Sequence, residues 1–520
     1  MKVDVQLVKH IAKLGNLVLT EAEIKLYGGQ LQKILQYVET LNQVDTKNIK
    51  PTYQTLDNTV NVWREDKLQP ERDLTQSQAL SQANQVYQGF FVTDHVFSDK
   101  KQAGKTKKIS RPKLDQYNAA LTIANKDGNL GVKDLFCTQG IETTAGSDVL
   151  SGYKPQYSST VINKLTEKGY KIKNKLNQDA WGHGSSGENS DFGPTKNPWD
   201  LSRVSGGSSS GSAVAVATGD VEIATGTDTC GSIRMPSNFT NVCGIKPTYG
   251  ALSRYGVIAF ASSLDCPGLF ARSVAKLITV FGQVAGFDPY DSTSQSPARN
   301  KPVVEKAKII GLPKEFFDQE LNPEINQLIK AAAQLLEEKG YTVKIVSLPH
   351  SAYGIAAYYL IAPTETCSNL ARFDGVRYGQ DRSYFGPEAK RRIMLGSFAA
   401  SAGYSAKYHE KAAKVRTLIV NDFDEVFKQV DVILAPAAPT PPFKLGEKTA
   451  NPLEMYLADI YAAPASLAGL PSLALPCGFT KDKLPVGMQL IGPRWSESVL
   501  FTLGEEYQSN TNWHLQKPKL

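Results

Sequence analysis

The 520-residue chain has few cysteines and few histidines, six of each, and none of the cysteines forms a Cys-x-x-Cys pair. This spacing argues against a disulfide scaffold or a zinc-finger type of site, and it indicates free thiols in a reducing compartment. The histidines lack the spacing of metal ligands, so we expect no bound metal. They are His10, His95, His183, His350, His409 and His514.

Long apolar runs are absent as well. No stretch reaches the roughly 18 consecutive apolar residues that a membrane-spanning helix needs. The N-terminus begins with helix-forming sequence rather than with a charged leader followed by an apolar run. We therefore expect a soluble, cytoplasmic protein with no membrane partner.

The net charge of +7 is concentrated in one place. Residues 98–112 hold six cations and one anion, so this segment supplies five of the seven net positive charges. Such a short cationic segment is typical of a solvated, charge-extended linker. Its expected contribution to any nucleic-acid binding is a minor electrostatic attraction, because nothing in it reads bases.

Three short segments indicate the chemistry. Residues 131–134 supply Lys133, residues 206–212 supply serines in a loop almost free of bulky side chains, and residues 226–234 supply Ser232. None of them contains a histidine. The pattern favours acyl transfer by a serine whose proton leaves through a second serine to a lysine. Lys133 lies in an apolar, strand-like run, where partial desolvation would lower its pKa and let it act as a base.

The glycine-serine run has other interpretations. By itself it is more typical of a flexible loop or of an anion-binding turn at the start of a helix. It is not a Walker loop, because no Gly-Lys-Ser/Thr follows. It also matches G-x-S-x-G, which would make Ser209 the nucleophile of an α/β-hydrolase. That alternative needs an apolar strand just before the turn, and residues 200–205 are a poor one; the helix-like run 212–218 suits either interpretation.

Residues 206–213, 226–236 and 244–248 together resemble the signature of the amidase signature family, with its spacing intact. The resemblance implies that Ser232 is the acyl-accepting nucleophile, Ser208 the bridging serine and Lys133 the base. It also implies a cis peptide between Gly207 and Ser208. The oxyanion hole would be formed by successive backbone N–H groups, namely those of Thr229, Cys230, Gly231 and Ser232.

Cys230 departs from the family pattern, which usually has glycine there. The backbone donor survives, but a side chain now projects beside the oxyanion hole and excludes glycine-only backbone angles. We interpret it as a tolerated small side chain; a competing thiol nucleophile is the alternative, for which no activating base is visible nearby. Asp228 and Arg234 bracket the nucleophile, and we expect them to form a buried pair that holds the loop.

Further segments are similar to the A subunit of the glutamyl-tRNA(Gln)/aspartyl-tRNA(Asn) amidotransferase. They are residues 133–140, 143–147, 184–190, 192–200, 253–257, 369–375 and 390–396. The resemblance implies a glutaminase that grips the α-carboxylate of glutamine with Arg392 and its α-ammonium with Asp459. It also implies a tyrosine contact at Tyr358 or Tyr359. The alternative for Arg392, one of three consecutive cations, is a solvated surface charge.

The first hundred residues have a different character. Thr20 to Glu23 form a capping box that opens a helix with a single apolar stripe, after which the chain becomes extended and polar. Such a segment cannot bury much surface alone and must wrap around something. Residues 8–14, 19–20, 41–45, 64–66 and 90–92 resemble the C subunit of the same amidotransferase.

We therefore expect an α/β protein with the amidase signature fold, a large mixed sheet sandwiched by helices, preceded by a small helical hairpin with an extended tail. The expected parts are a C-subunit-like segment (1–98), a basic linker (99–112) and a glutaminase domain (113–520). Further strands are expected at 309–312, 343–346, 432–436 and 473–476, with a proline-started helix after Asn322.

The resemblance implies a fused glutaminase subunit that releases ammonia to a separate B subunit, where mischarged tRNA is amidated. No cofactor is expected in this chain, because ATP and Mg²⁺ would bind to that partner. The alternatives are a stand-alone amidase and a non-catalytic scaffold of the complex. The sequence does not distinguish Glu-tRNA(Gln) from Asp-tRNA(Asn) as the acceptor.

Overall fold

The computed structural model describes residues 3–56, 62–63, 66–70, 73–93, 111–295, 306–318 and 321–519. The helices are α1 Val5–Leu14, α2 Glu21–Val38, α3 Gln76–Leu80, α4 Thr160–Glu167, α5 Ser210–Thr218, α6 Arg234–Thr240, α7 Val274–Val284, α8 Pro323–Glu338, α9 Gly354–Asn369, α10 Pro387–Ala400, α11 Lys411–Val426, α12 Pro452–Leu457, α13 Ala463–Leu467 and α14 Glu497–Ser509. The strands are β1 Val86–Tyr87, β2 Phe90–Phe91, β3 Ala120–Ile123, β4 Leu130–Lys133, β5 Ile172–Leu176, β6 Lys196–Asn197, β7 Asp200–Val204, β8 Ile223–Asp228, β9 Cys243–Lys246, β10 Cys266–Ala271, β11 Ile309–Pro313, β12 Thr342–Val346, β13 Val432–Pro436, β14 Ser472–Phe479 and β15 Pro485–Ile491.

Eleven of these strands form one mixed sheet, in the order β12-β11-β13-β15-β14-β9-β10-β8-β4-β5-β3. Strand β4 pairs in parallel with both β5 and β8, and β11 pairs in parallel with β12 and β13. The pairs in the centre of the sheet, from β13 to β8, are antiparallel. Helices pack against it, α5 on β8, α6 on β15 and α8 on β13. The expected fold class is confirmed.

The central strands are covered on both faces of the sheet. Every residue of β4, β8, β10 and β13 is buried, as strands covered on both faces must be. The strands expected at 309–312, 343–346, 432–436 and 473–476 are present. Asn322 caps α8, and Pro323 occupies its first turn as expected.

Residues 200–205 were expected to make a poor strand, yet Asp200–Val204 is β7. It pairs with β6 in a separate two-stranded ribbon and bridges from Arg203 to Lys444, outside the large sheet, and most of its residues are at least partly exposed. The polar composition therefore excludes this segment from the large sheet but not from strand geometry. It does not supply the apolar sheet strand that an α/β-hydrolase turn requires.

The N-terminal segment packs on the large domain and shares its core. Helix α2 begins with the expected capping box, in which Thr20 and Glu23 each accept a hydrogen bond from the other's backbone N–H. Helix α1 lies on α10, and α2 contacts α9, α10 and α12. The predicted stripe is buried, comprising Ile24, Leu31, Ile34, Leu35, Val38 and Leu41. The segment thus wraps around the domain, as its small size requires.

The tail after α2 is held by a buried arginine. Arg416 donates hydrogen bonds to the carbonyl oxygens of Tyr53 and Leu467 and to Ser263. Thr52 N–H also donates to the Ala413 carbonyl at 3.1 Å. The tail is not wholly extended, since it contains α3 and the β1-β2 hairpin, which corrects the expectation from sequence.

The linker 99–112 lies outside the described residues except for its last two, as do Arg64 and Glu65 of the C-subunit-like pattern. Arg111, expected to stay exposed, instead forms a two-pronged ion pair with Glu142 and lies over the Phe192 ring at 4.6 Å. Planar guanidinium groups favour such paired contacts, which explains the difference. Within the described part of the chain, no helix is long and apolar enough to span a membrane.

Candidate active site

Lys133 ends strand β4 with its side chain fully buried between two segments that the sequence singles out. Its Nζ lies 2.8 Å from Ser208 Oγ, 2.8 Å from Ser209 Oγ and 2.7 Å from Thr227 Oγ1. Parallel pairing of β4 with β8 brings the lysine beside residues 229–232, which follow β8 and are called the nucleophile loop below because they contain Ser232. A lysine surrounded by hydroxyl groups can give up its proton more readily than one paired with a carboxylate.

Burial lowers the pKa of Lys133 to about 7, because the protonated form loses its hydration. Three buried carboxylates oppose this shift from nearby, those of Asp179, Asp228 and Asp265. A substantial fraction of Lys133 is therefore neutral at neutral pH, as a general base requires.

The peptide between Gly207 and Ser208 is cis, as the resemblance implies. A Cβ atom at position 207 would lie 2.0 Å from Asp179 Oδ2, so only glycine fits there. Asp179 in turn accepts hydrogen bonds from the backbone N–H groups of Gly187 and Asn189. These contacts hold Ser208 against Lys133.

Ser209 is also within hydrogen-bonding distance of Lys133, but its surroundings differ from those of Ser208. Its hydroxyl lies 3.2 Å from the Thr227 carbonyl and accepts a bond from the Thr227 N–H at 3.4 Å. Because the Ser209 hydroxyl bridges to β8 backbone, it ties α5 to the sheet. Among the described residues no histidine lies within hydrogen-bonding distance of it, as an α/β-hydrolase nucleophile would require.

Ser232 is the most exposed of the three relay residues, at 6%. In this structure its hydroxyl makes no hydrogen bond with any described residue, so the Ser208–Ser232 step of the relay is not formed as a hydrogen bond. The backbone N–H groups of residues 229–232 likewise donate to no acceptor among the described residues. Four successive unpaired donors make an anion-binding turn around the nucleophile.

The loop that carries these donors is held by a fully buried ion pair. Arg234 Nη2 lies 3.0 Å from Asp228 Oδ1, and both side chains are completely inaccessible. Arg234 also donates to the carbonyls of Ala462 and Cys230 and to Ser466 and Gln489. All of its nitrogens are thereby satisfied, so the pair has no free donor for a ligand. This matches the holding role expected of Asp228 and Arg234.

The departure at Cys230 is accommodated without strain. Cys230 is buried and is not among the residues with positive φ, so the loop does not need glycine there. Burial raises the pKa of the Cys230 thiol well above its usual value, aided by the charge of Asp459. The thiolate is therefore scarce at neutral pH, which argues against a competing thiol nucleophile.

Arg392 lies buried in an aromatic cage rather than on the surface. Its guanidinium carbon is 5.1 to 5.6 Å from the centres of three rings, those of Tyr359, Phe260 and Tyr456. Its Nε donates to Glu388 at 2.7 Å, whereas Nη1 has no hydrogen-bond partner among the described residues. A buried guanidinium with a free donor is suited to bind a carboxylate.

Asp459 faces the nucleophile loop from the turn between α12 and α13. The Ser185 hydroxyl donates to its Oδ2, while Oδ1 has no partner among the described residues. Oδ1 lies 2.6 Å from where a Cβ on Gly231 would stand, so the glycine lets the carboxylate approach. Burial raises the pKa of Asp459 to about 7, against the Ser185 hydrogen bond. It lies close enough to Arg392 for that charge to lower its pKa.

Tyr358 completes this end of the site. Burial raises the pKa of its phenol well above the usual value, and the thiol of Cys230 adds to the shift while Arg392 opposes it. Tyr358 is therefore near enough to both Cys230 and Arg392 to feel their charges, and its ring contacts that of Tyr359 at 5.0 Å between centres. The structure brings together all the residues that the sequence indicates, from Lys133 to Asp459.

Sequence reasoning missed the residues that surround Arg392 and Asp459. They are Ser185, Phe260, Glu388 and Tyr456. Only Glu388 left a signal, since it precedes Arg392 by four residues on one helix, the spacing of an ion pair. Among the described residues no group of three His, Cys, Asp or Glu side chains is placed to hold a metal ion.

Comparison with known proteins decides the family. Residues 129–501 match the Amidase family. The chain belongs to the amidase family. Residues 19–92 match the family described as Glu-tRNAGln amidotransferase C subunit, which covers most of the N-terminal segment. The amidase match spans the described relay, the nucleophile loop, Arg392 and Asp459.

Two similar relatives of this amidase are named as the A subunit of glutamyl-tRNA(Gln) amidotransferase. The one from Chloroflexus aggregans is 48% identical over 410 residues, covering 75% of this chain and 84% of its own. The one from Lactococcus lactis subsp. lactis is also 48% identical over 410 residues, with the same coverage of both chains. A crystal structure of the protein of the same name from Thermotoga maritima superposes with a TM-score of 0.68 at 38% identity, covering 78% of this chain and 90% of that one.

Proposed function

We propose that this chain hydrolyses the side-chain amide of glutamine and supplies ammonia to a tRNA-dependent amidotransferase. The observation that carries the proposal is Lys133, buried and partly neutral at pH 7, hydrogen-bonded to Ser208 beside a loop of free backbone donors around Ser232. The names of the amidotransferase relatives and the C-subunit match at residues 19–92 support the tRNA-dependent setting.

In the proposed reaction, Ser232 Oγ attacks the amide carbon of glutamine, and its proton passes through Ser208 to Lys133. The negative charge that develops on the carbonyl oxygen is stabilised by the N–H groups of Thr229, Cys230 and Gly231. Lys133 then returns this proton through Ser208 to the amide nitrogen, the carbon–nitrogen bond breaks, and ammonia leaves. Water hydrolyses the acyl-Ser232 ester to glutamate by the same proton route.

The substrate is held at its amino-acid end. Arg392 binds the α-carboxylate through its free Nη1, and Asp459 binds the α-ammonium through its free Oδ1. Tyr358 contacts the substrate between them. This arrangement is supported by two buried atoms that have no partner among the described residues, Arg392 Nη1 and Asp459 Oδ1, since such atoms are costly unless a ligand satisfies them.

The released ammonia passes to a separate B-type subunit, where ATP and Mg²⁺ activate the carboxylate on mischarged tRNA. The N-terminal segment supports the presence of a partner subunit, because after α2 this segment exposes large apolar side chains. They include Trp63 at 84%, Leu68 at 94% and Phe90 at 72% exposed. A cytoplasmic setting is supported by the absence of disulfides among the six cysteines, all of which are free.

A stand-alone amidase would have the same relay, and a non-catalytic scaffold would expose the same apolar side chains. One experiment must therefore separate these two functions from that of an amidotransferase subunit. The full chain, purified with the subunit that accompanies it, is assayed for amidation of mischarged tRNA with glutamine and then with free ammonia. Ser232→Ala should abolish the glutamine-dependent reaction and preserve the ammonia-dependent one.

Each outcome assigns one function. Retained glutamine use by Ser232→Ala overturns the nucleophile assignment. Loss of the ammonia-dependent reaction too would point to misfolding of the variant, which circular dichroism and gel filtration check. Wild-type amide hydrolysis without any co-purifying partner or tRNA amidation favours the stand-alone enzyme, and no hydrolysis at all favours the scaffold.

A further inference from the structure

Helix α10 carries three consecutive cations that make three different contacts. Lys390 Nζ pairs with Glu23 of α2 at 2.7 Å. Arg391 Nε donates to Gln30 Oε1, also on α2, at 2.9 Å. Arg392 enters the glutamine site. Binding of the substrate needs only Arg392, so the contacts of Lys390 and Arg391 require their own explanation.

Arg391 and Arg392 share one carboxylate, that of Glu388 one turn earlier. Glu388 Oε1 accepts from Arg392 Nε at 2.7 Å, and Oε2 pairs with Arg391 Nη1. The three side chains are 9% exposed or less, so solvent screens their charges only weakly. Together they carry one net positive charge.

This net charge decides how strongly Arg392 attracts an anion. With Arg391 in place, one of the two cations is left uncompensated, and Arg392 faces the site with its free Nη1. Without Arg391, Glu388 would neutralise Arg392 completely, and a carboxylate ligand would meet a neutral pair. Arg391 therefore acts on the ligand through Glu388 without touching it.

The N-terminal segment places Arg391 for this role. Gln30 accepts from its Nε, and the Tyr27 hydroxyl, 3.4 Å from the Pro387 carbonyl, contacts the first turn of α10. Both residues belong to α2. The N-terminal segment is thus connected to Arg392 by the Gln30–Arg391 hydrogen bond and by the Glu388 carboxylate that Arg391 and Arg392 share.

We propose that Arg391, held by Gln30 of the N-terminal segment, is a positioning residue that sets the affinity of Arg392 for the α-carboxylate of the substrate. The proposal rests on the proposed function, since it assumes that Arg392 receives that carboxylate. It gives the fused N-terminal segment a direct part in substrate binding, besides any part in assembly.

The test compares variants of the full-length chain, purified with the subunit that accompanies it, on glutamine and on propionamide, which lacks the α-carboxylate. Arg391→Met should raise the KM for glutamine about tenfold, as losing part of a charge-assisted contact does, with kcat within twofold. Gln30→Leu should raise it in the same direction by about threefold. Neither should change propionamide hydrolysis.

Lys390→Met is the matched control. It removes another cation of the same helix that pairs with the same segment but does not contact Glu388, so it should leave both substrates unaffected. Equal effects of Lys390→Met and Arg391→Met, or equal losses on both substrates, would mean that Arg391 only docks the segment and would overturn the proposal. In a Glu388→Gln background, Arg391→Met should change the glutamine KM less than it does with Glu388 present, because Arg392 then has no carboxylate to share.

Failure of this inference is distinguishable from failure of the proposed function. If Arg392→Ala selectively impairs glutamine use while Arg391→Met does not, the carboxylate site stands and the positioning role falls. If Arg392→Ala impairs both substrates equally, the assignment of the carboxylate site is itself wrong.

Discussion

Lys133 Nζ lies equally close, at 2.8 Å, to the hydroxyls of Ser208 and Ser209. The two serines are adjacent, buried and equidistant from the base, yet only one of them can pass a proton to Ser232. Ser209 is bonded on its other side to the backbone of Thr227, whereas the hydroxyl of Ser208 has only Lys133 as a hydrogen-bond partner among the described residues. Ser208 is therefore the serine that is free to relay.

This difference gives a sharp comparison of two single substitutions. Ser208→Ala should lower kcat for glutamine hydrolysis by about 10³-fold or more, because a relay member acts only with the others. Ser209→Ala should lower it by about tenfold, the effect of one lost hydrogen bond at the base. Circular dichroism checks that both variants fold. The reverse order of losses would favour the α/β-hydrolase interpretation with Ser209 as nucleophile.

The pH profile should depend on the substrate. Lys133 must be neutral and Asp459 ionised for glutamine to react, and the pKa of each is about 7. Falling pH protonates both, so log kcat/KM for glutamine should fall below pH 7 with a slope approaching two. An amide without an α-ammonium group does not need the Asp459 charge, and its slope should approach one.

Asp459→Asn supplies the control for this profile. This variant lacks one of the two titrating groups. The slope of log kcat/KM for glutamine against pH should therefore drop to one, and the fall should still begin near pH 7 because Lys133 remains. An unchanged slope of two in this variant would show that another group than Asp459 titrates. Stopped assays over pH 5 to 9 in constant ionic strength measure it.

The two ends of the substrate should be separable by mutation. Arg392→Ala and Asp459→Ala each remove a charged hydrogen-bonding group from the amino-acid end, which should weaken glutamine use by about ten- to a hundredfold. Hydrolysis of propionamide, which has neither group, should change little. Steady-state kinetics on both substrates measure the ratio, and equal losses would mean that the two residues hold the fold.

The relay was predictable from sequence for a local reason. Lys133, Ser208 and Ser232 each lie in a short segment whose small or apolar neighbours are themselves the signal, and β4 and α5 follow from the same residues. The surroundings of Arg392 were not predictable from sequence, because Phe260, Tyr359 and Tyr456 come from separate segments that only packing brings together. Whether Arg392 is a surface charge or a buried one depends on those contacts, and sequence spacing carries no trace of them.

The N-terminal helices show the same division. The capping box and apolar stripe of α2 predict a helix that must be covered, but not which surface covers it. Arg111 illustrates the opposite error, since its place in a run of cations predicts exposure while its partner Glu142 lies 31 residues away. Charge composition describes a segment on average and misses one arginine with a geometric partner.

Cys230 provides an independent check on the nucleophile. If its buried thiol is only a tolerated side chain, Cys230→Gly should keep glutaminase activity within about tenfold, because the backbone donor of the oxyanion hole remains. Iodoacetamide should leave the wild-type enzyme active at neutral pH, since burial raises the pKa of the thiol. A collapse of Cys230→Gly to the level of Ser232→Ala would show instead that the thiol takes part in the reaction.

The cationic linker gives the last prediction. Trypsin should cut the full chain first among the lysines of residues 100–108, because so many like charges in a short segment resist burial. Arg111 does not test its ion pair with Glu142 in this digest, because Pro112 follows it and trypsin does not cut before proline. The two pieces should remain associated, because the apolar stripe of α2 is buried against the large domain and Arg416 binds the tail at Tyr53. Mass spectrometry locates the cut and gel filtration tests the association. Initial cleavage outside residues 100–108 would contradict the exposed linker, and dissociation of the N-terminal piece without loss of tRNA amidation would show that residues 1–98 are not needed for assembly.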